Sequence, residues 1–185
     1  MVGALIPVEP RRIVLLGFMG SGKSTVGPIL ARRLGWIFID LDREIVAAAG
    51  LSVPEIFAGE GEPGFRRREA EATRRVISRD RLVLAPGGGW VANPDASGTL
   101  PEGTLEVWLR TSVSSVLRRV RRSRHERPLL AGSDPESTVR RLMAEREPLY
   151  RRAGLTVRTD GRNPSRVAEE IENLMRAGGA AAASS

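Results

Sequence analysis

Gly17-Phe18-Met19-Gly20-Ser21-Gly22-Lys23-Ser24 is the stretch on which the fold class turns. Its spacing is G-x-x-x-x-G-K-[ST], and it lies between an apolar run at 13–16 and an amphipathic run at 23–34. In a strand–loop–helix setting this composition makes an anion nest. Gly20 and Gly22 let backbone N–H groups converge, and the helix N-terminus adds unpaired donors and a positive dipole end. Lys23 is placed to reach the β- and γ-phosphates of a nucleotide, and the Ser24 hydroxyl to coordinate Mg²⁺. A glycine-rich turn with a chance lysine is the plain alternative. Against it, Lys23 is the one lysine among 29 basic residues, so a compact ammonium rather than a planar guanidinium is kept at this spot alone.

Outward from this loop, short apolar runs alternate with longer amphipathic ones, the pattern of a parallel sheet wrapped by helices. The runs predict strands at 13–16, 36–40, 82–85, 105–109 and 155–158, and helices at 23–34, 43–48, 65–79, 112–122, 136–150 and 164–176. Pro28 falls inside the first helix, where its missing N–H predicts a local kink. The 185 residues suit one domain, expected over 1–177. Residues 123–135, punctuated by Pro128, Gly132 and Pro135, read as a mobile loop of the kind that forms lids over phosphate sites. The Gly, Ala and Ser tail at 178–185 is expected to be disordered.

With no Cys and a single His, the composition excludes disulfides, thiol nucleophiles and ordinary zinc sites, so a metal would need oxygen ligands. No run approaches the length of a membrane span, and the first ten residues lack a signal-peptide pattern, so a cytoplasmic location is expected. The net charge of +7 is concentrated between Arg110 and Arg127, with seven Arg against one acid, Glu126. Such a cluster could contact nucleic acid, but aromatic residues for base stacking are only 4%, and a small anionic ligand is the better expectation.

The second strand runs into Asp40-Leu41-Asp42 beside the nest. Alternation along an extended chain would point both carboxylates the same way, one toward Mg²⁺ and the other toward a substrate hydroxyl. Alternatively, Asp42 caps the next helix. The third strand runs into Gly87-Gly88-Gly89, whose backbone entropy is explained by close approach of a ligand or by a tight turn. A turn at 61–64 leads into Phe65-Arg66-Arg67-Arg68-Glu69, and Glu145-Arg146-Glu147-Pro148-Leu149-Tyr150 closes a later helix. Spacing alone does not say which of these arginines is more than a solvated charge.

Taken in order, 17–25, Asp40-Leu41-Asp42, Phe65-Arg66-Arg67 with Glu69, 87–89, and Arg127-Pro128-Leu129-Leu130 followed by Arg146–Tyr150 resemble the shikimate kinases, small P-loop kinases, over about 12–175. The resemblance implies a three-layer α/β/α fold with a five-stranded parallel sheet of order 2-3-1-4-5. It implies ATP and Mg²⁺ as cofactors, shikimate phosphorylated on its 3-hydroxyl, and a monomer that binds neither nucleic acid nor membrane. Gly20, Ser21, Gly22, Lys23, Ser24, Thr25, Arg122, Arg127, Arg162 and Pro164 would then hold ATP, and Ser24 and Asp40 the metal. Asp42, Arg66, Gly87, Gly88, Gly89 and Arg146 would hold shikimate, with Lys23, Asp42 and lid Arg127 catalytic. A gluconate kinase or a nucleoside monophosphate kinase shares the nest, but an acceptor clamped by Asp42 and two arginines suits a hydroxylated acid.

Overall fold

In a computed structural model, which describes residues 9–98, 100–122 and 134–183, the run Arg12–Leu16 forms strand β1 with every residue buried. Successive side chains point to opposite faces of a strand. Ile13 and Leu15 therefore join one apolar cluster while Val14 and Leu16 join another. Such two-sided burial requires helices on both faces. Strands β2 (Ile37–Asp40), β3 (Leu82–Ala85), β4 (Thr104–Arg110) and β5 (Leu155–Arg158) complete an all-parallel sheet of order β2-β3-β1-β4-β5.

Helices α1 (Lys23–Leu34) and α7 (Pro164–Ala183) cover one face, where Val26, Leu30, Val167 and Ile171 meet Ile13 and Leu15. On the other face α2 (Leu41–Ala49) and α3 (Val53–Val76) bring Leu41, Ile45, Ile56 and Phe65 against Val14 and Leu16. Between them α4 (Pro94–Ser97), α5 (Val113–Arg122) and α6 (Pro135–Tyr150) follow the later strands. A small third cluster, Phe18, Met19, Val116, Val139 and Leu142, seals the end of the sheet from which the 17–24 loop emerges.

Several expectations are corrected in detail. α1 runs continuously through Pro28, which sits on its exposed side. Its neighbour Gly27 is buried against the Phe38 ring, where a Cβ would collide. The turn expected at 61–64 is present as a non-helical break at Gly61 (φ 67°) that divides α3, but a helical stretch not expected precedes it from Val53. Ser52 and Glu55 form a reciprocal capping box at its start. Pro135, expected to end a loop, is the first residue of α6, where a missing N–H costs nothing, and Asp134 caps that helix. The rest of the expected lid, 123–133, lies outside the described residues. α7 continues to Ala183 through much of the tail expected to be disordered, because alanine readily extends a helix already nucleated by packing.

Candidate functional site

At the C-terminal ends of β1, β2 and β3 two cavities adjoin, of about 470 and 730 Å³, both lined by Ser24, Asp40, Asp42, Gly87 and Gly88. The smaller is the phosphate nest. Gly20 (φ 74°) and Gly22 (φ 106°) hold the left-handed backbone that wraps it, and Ser21, Lys23, Ser24 and Thr25 line it. Buried Lys23 folds back, its Nζ donating to the carbonyls of Gly17 (2.6 Å) and Phe18 (3.1 Å). Those bonds hold the ammonium within its own loop.

Asp40 is the last residue of β2 and the N-cap of α2, accepting from the Arg43 N–H; its other oxygen accepts from the Ser24 hydroxyl at 2.7 Å. Asp42 is already helical. Strand alternation therefore does not align the two carboxylates, and the cap falls to Asp40 rather than Asp42; the strand-to-helix junction is what brings both to the cavities. Among the described residues no three His, Cys, Asp or Glu gather as a metal cluster. The Ser24–Asp40 oxygen pair fits Mg²⁺, which usually takes one or two protein ligands and completes its shell from phosphates and water.

The larger cavity carries the acceptor candidates. Arg66 donates to Glu69 (2.9 Å) and Glu62 (2.9 Å), and Glu69, fully buried, also accepts from Asn93 Nδ2. Burial works against the Arg66 charge, but Glu69 and Glu62 outweigh it and keep the guanidinium ionised. Arg146 on α6 donates to the Gly88 carbonyl at 3.2 Å and lies over the Phe18 ring at 5.6 Å. Two guanidiniums thus line one cavity with Asp42.

The three glycines do more than admit a ligand. A Cβ at Gly87 would stand 3.0 Å from Asp42 Oδ1, one at Gly88 would stand 2.9 Å from the Met19 backbone nitrogen, and one at Gly89 would strike the Arg66 guanidinium. The turn is the place where the acid, the phosphate loop and the acceptor arginine meet. Trp90, immediately after it, is wholly buried and donates its indole N–H to Thr73, anchoring the turn to α3.

Of the residues expected to flank a nucleotide, Arg162 and Pro164 line the smaller cavity, with Arg162 paired to Glu170. The side chain of Arg122 and all of Arg127 lie outside the described residues. Arg119, which the sequence reading did not select, donates to the carbonyls of Gly20 and Thr159, both at 2.7 Å, and lines the cavity across from Pro164. Among seven arginines in one segment, nothing in the spacing singled it out.

A family profile described as shikimate kinase matches residues 19–176. The chain belongs to the shikimate kinase family. It is 48% identical over 147 residues to a shikimate kinase of Nitrobacter winogradskyi, covering 80% of this chain and 68% of that one. To the shikimate kinase of Hahella chejuensis it is 44% identical over 168 residues, with 90% and 87% covered. The solved shikimate kinase of Acinetobacter baumannii in complex with shikimate superposes with a TM-score of 0.86 at 40% identity, covering 91% of this chain and 94% of that one. In shikimate kinase terms, the sheet order and the P-loop kinase architecture are as expected from the sequence.

Proposed function

We propose that this chain transfers the γ-phosphoryl group of ATP to the 3-hydroxyl of shikimate, giving shikimate 3-phosphate on the way to chorismate. The observation that carries the reading is the meeting of a phosphate nest with a cavity lined by one acid and two guanidiniums, across a glycine turn too narrow for any side chain. ATP would lie with its phosphates on 20–25 and its base between Arg119 or Arg122 and the Arg162–Pro164 segment. Mg²⁺, held by Ser24 and Asp40, would supply charge neutralisation on the phosphate oxygens.

A transferring phosphoryl group spreads negative charge over its equatorial oxygens, so positioning and electrostatics do most of the catalysis. Lys23 leaves the Gly17 and Phe18 carbonyls to meet that charge. Asp42 orients the attacking hydroxyl and takes its proton late. Arg66 and Arg146 grip the substrate carboxylate, which fixes which hydroxyl faces the phosphate. A single domain over 1–177, a lid over 123–135 carrying Arg127, a monomeric state and a cytoplasmic location belong to the same proposal. No helix among the described residues is long and apolar enough to cross a membrane.

An ADP-release assay over shikimate, quinate, gluconate, AMP and CMP tests the reading. Turnover should require shikimate, and turnover of a nucleotide without shikimate would overturn it. For the lid, Arg127→Ala should lower kcat far more than it changes shikimate affinity, and hydrogen exchange over 123–135 should slow with ATP analogue and shikimate together.

A further inference from the structure

Tyr150 ends α6 as a buried phenol that the proposed chemistry leaves unused. Its ring stacks on Trp108 with centroids 5.9 Å apart, and behind it lies a separate cavity of about 360 Å³ lined by Phe18, Trp108, Arg110 and Met143. Its hydroxyl donates to the Gly88 carbonyl. The same carbonyl accepts from Arg146, one helical turn earlier, whose positive charge acts on the phenol. Both side chains thus converge on one carbonyl at the wall of the acceptor cavity.

We propose that Tyr150 is a positioning residue for the acceptor: its hydroxyl fixes the Gly88–Gly89 peptide plane and the Arg146 guanidinium in the arrangement that receives shikimate. This rests on the proposed function of the cavity. In a run of three glycines no Cβ sets the orientation of the peptides, so a glycine peptide is free to rotate unless something outside the turn holds it. A trans peptide carries its C=O and N–H antiparallel. Pinning the Gly88 carbonyl into the protein therefore aims the Gly89 N–H the opposite way, on the residue that abuts the Arg66 guanidinium. One tether sets the turn between both carboxylate-gripping arginines.

A phenol buried only for its ring would leave this carbonyl to Arg146 alone. Burial pushes the Tyr150 hydroxyl up to about 12, against the opposing charges of Arg146 and Arg66, so it remains a proton donor throughout the working range.

Tyr150→Phe keeps the ring and removes the hydroxyl. One hydrogen bond of this kind corresponds to about a fivefold change, so the KM for shikimate should rise about fivefold while kcat and the KM for ATP stay within about twofold. The thermal midpoint should move by no more than a few degrees. In an Arg146→Lys background the same substitution should raise KM by less than about twofold, because the guanidinium that Tyr150 helps to hold is then absent. An unchanged shikimate KM, a parallel rise in both KM values with a large fall in thermal midpoint, or full multiplication of the two effects would each refute the positioning role. Shikimate turnover by the unaltered chain is measured alongside; its absence would sink the functional reading on which the inference stands, which separates the two failures.

Discussion

The wall proposed to face phosphate is drawn mainly from one run of consecutive residues, 19–26, whereas the wall proposed to face the acceptor is drawn from Asp42, Arg66, the 87–89 turn and Arg146. The first is a local device: a strand end, a left-handed loop and a helix start, with Lys23 donating to carbonyls of its own loop. The second exists only after α2, α3, β3 and α6 have packed, and its arginines are aimed by groups from other segments, Asn93 through Glu69 and the Gly88 carbonyl. A self-contained wall should fail at one residue. An assembled wall should fail in a graded and coupled way.

The sharpest contrast comes from Lys23→Arg, which keeps the charge but replaces a point ammonium by a planar group in a tight nest. We expect kcat to fall by about a hundredfold or more with the fold intact. Near-normal turnover in a folded variant would break the comparison at its strong end. On the acceptor side, Arg66→Lys and Arg146→Lys should each raise the shikimate KM by about tenfold, roughly 1.4 kcal/mol, with the ATP KM little changed. The double variant should lose less than the sum, since both groups grip one carboxylate, and steady-state kinetics on the four proteins reads the coupling.

A smaller change probes the turn between the walls. Gly89→Ala presses only on the movable end of Arg66, whereas Gly88→Ala presses on the phosphate-loop backbone. The first should raise the shikimate KM several-fold, about 1 kcal/mol, and leave ATP binding alone; the second should impair both substrates. Equal patterns from the two would mean that the turn does not divide the site as described.

The smallest expected effect concerns Asp160, which ties the loop after β5 to Thr111 and Ser112 at the start of α5. Burial, slight here, would raise its carboxyl, but hydrogen bonds from the Ser112 N–H and from the Ser115, Ser112 and Thr111 side chains outweigh it and hold it at about 2, below the usual 3.8. A depressed carboxyl contributes stability above its unfolded value and loses it as pH falls through the folded one. Asp160→Asn should therefore lower the denaturation midpoint at neutral pH, and the gap to the parent should close between about pH 4 and pH 2.

The same contrast explains what was legible from sequence. The nest and all five strands could be read because their signals are contiguous or periodic, whereas the sheet order came only with the resemblance to a family, since no local signal encodes which strands become neighbours. Gly61, Pro63 and Gly64 mark a real break in α3, but only the Ser52–Glu55 capping box argues for the helical stretch ahead of it. Asp42 reached the site for a reason other than the expected one, at a helix start rather than on a strand. Arg119 and Tyr150 could not be read, because what distinguishes each from neighbouring arginines or core aromatics is a carbonyl in a distant segment.

β1 lies in the middle of the sheet, and its Arg12 is in register with Leu82 on one side and Thr104 on the other. More than half the chain must therefore leave the ribosome before the strand that carries the phosphate nest has both neighbours. Because loop closure over such separations precedes any gain from strand pairing, a growing chain holds its most recognisable motif on an unfinished edge for much of synthesis. The part of the molecule easiest to recognise thus waits for strands made much later in the chain, and the burden of keeping it from premature association falls on the stage before β4 arrives.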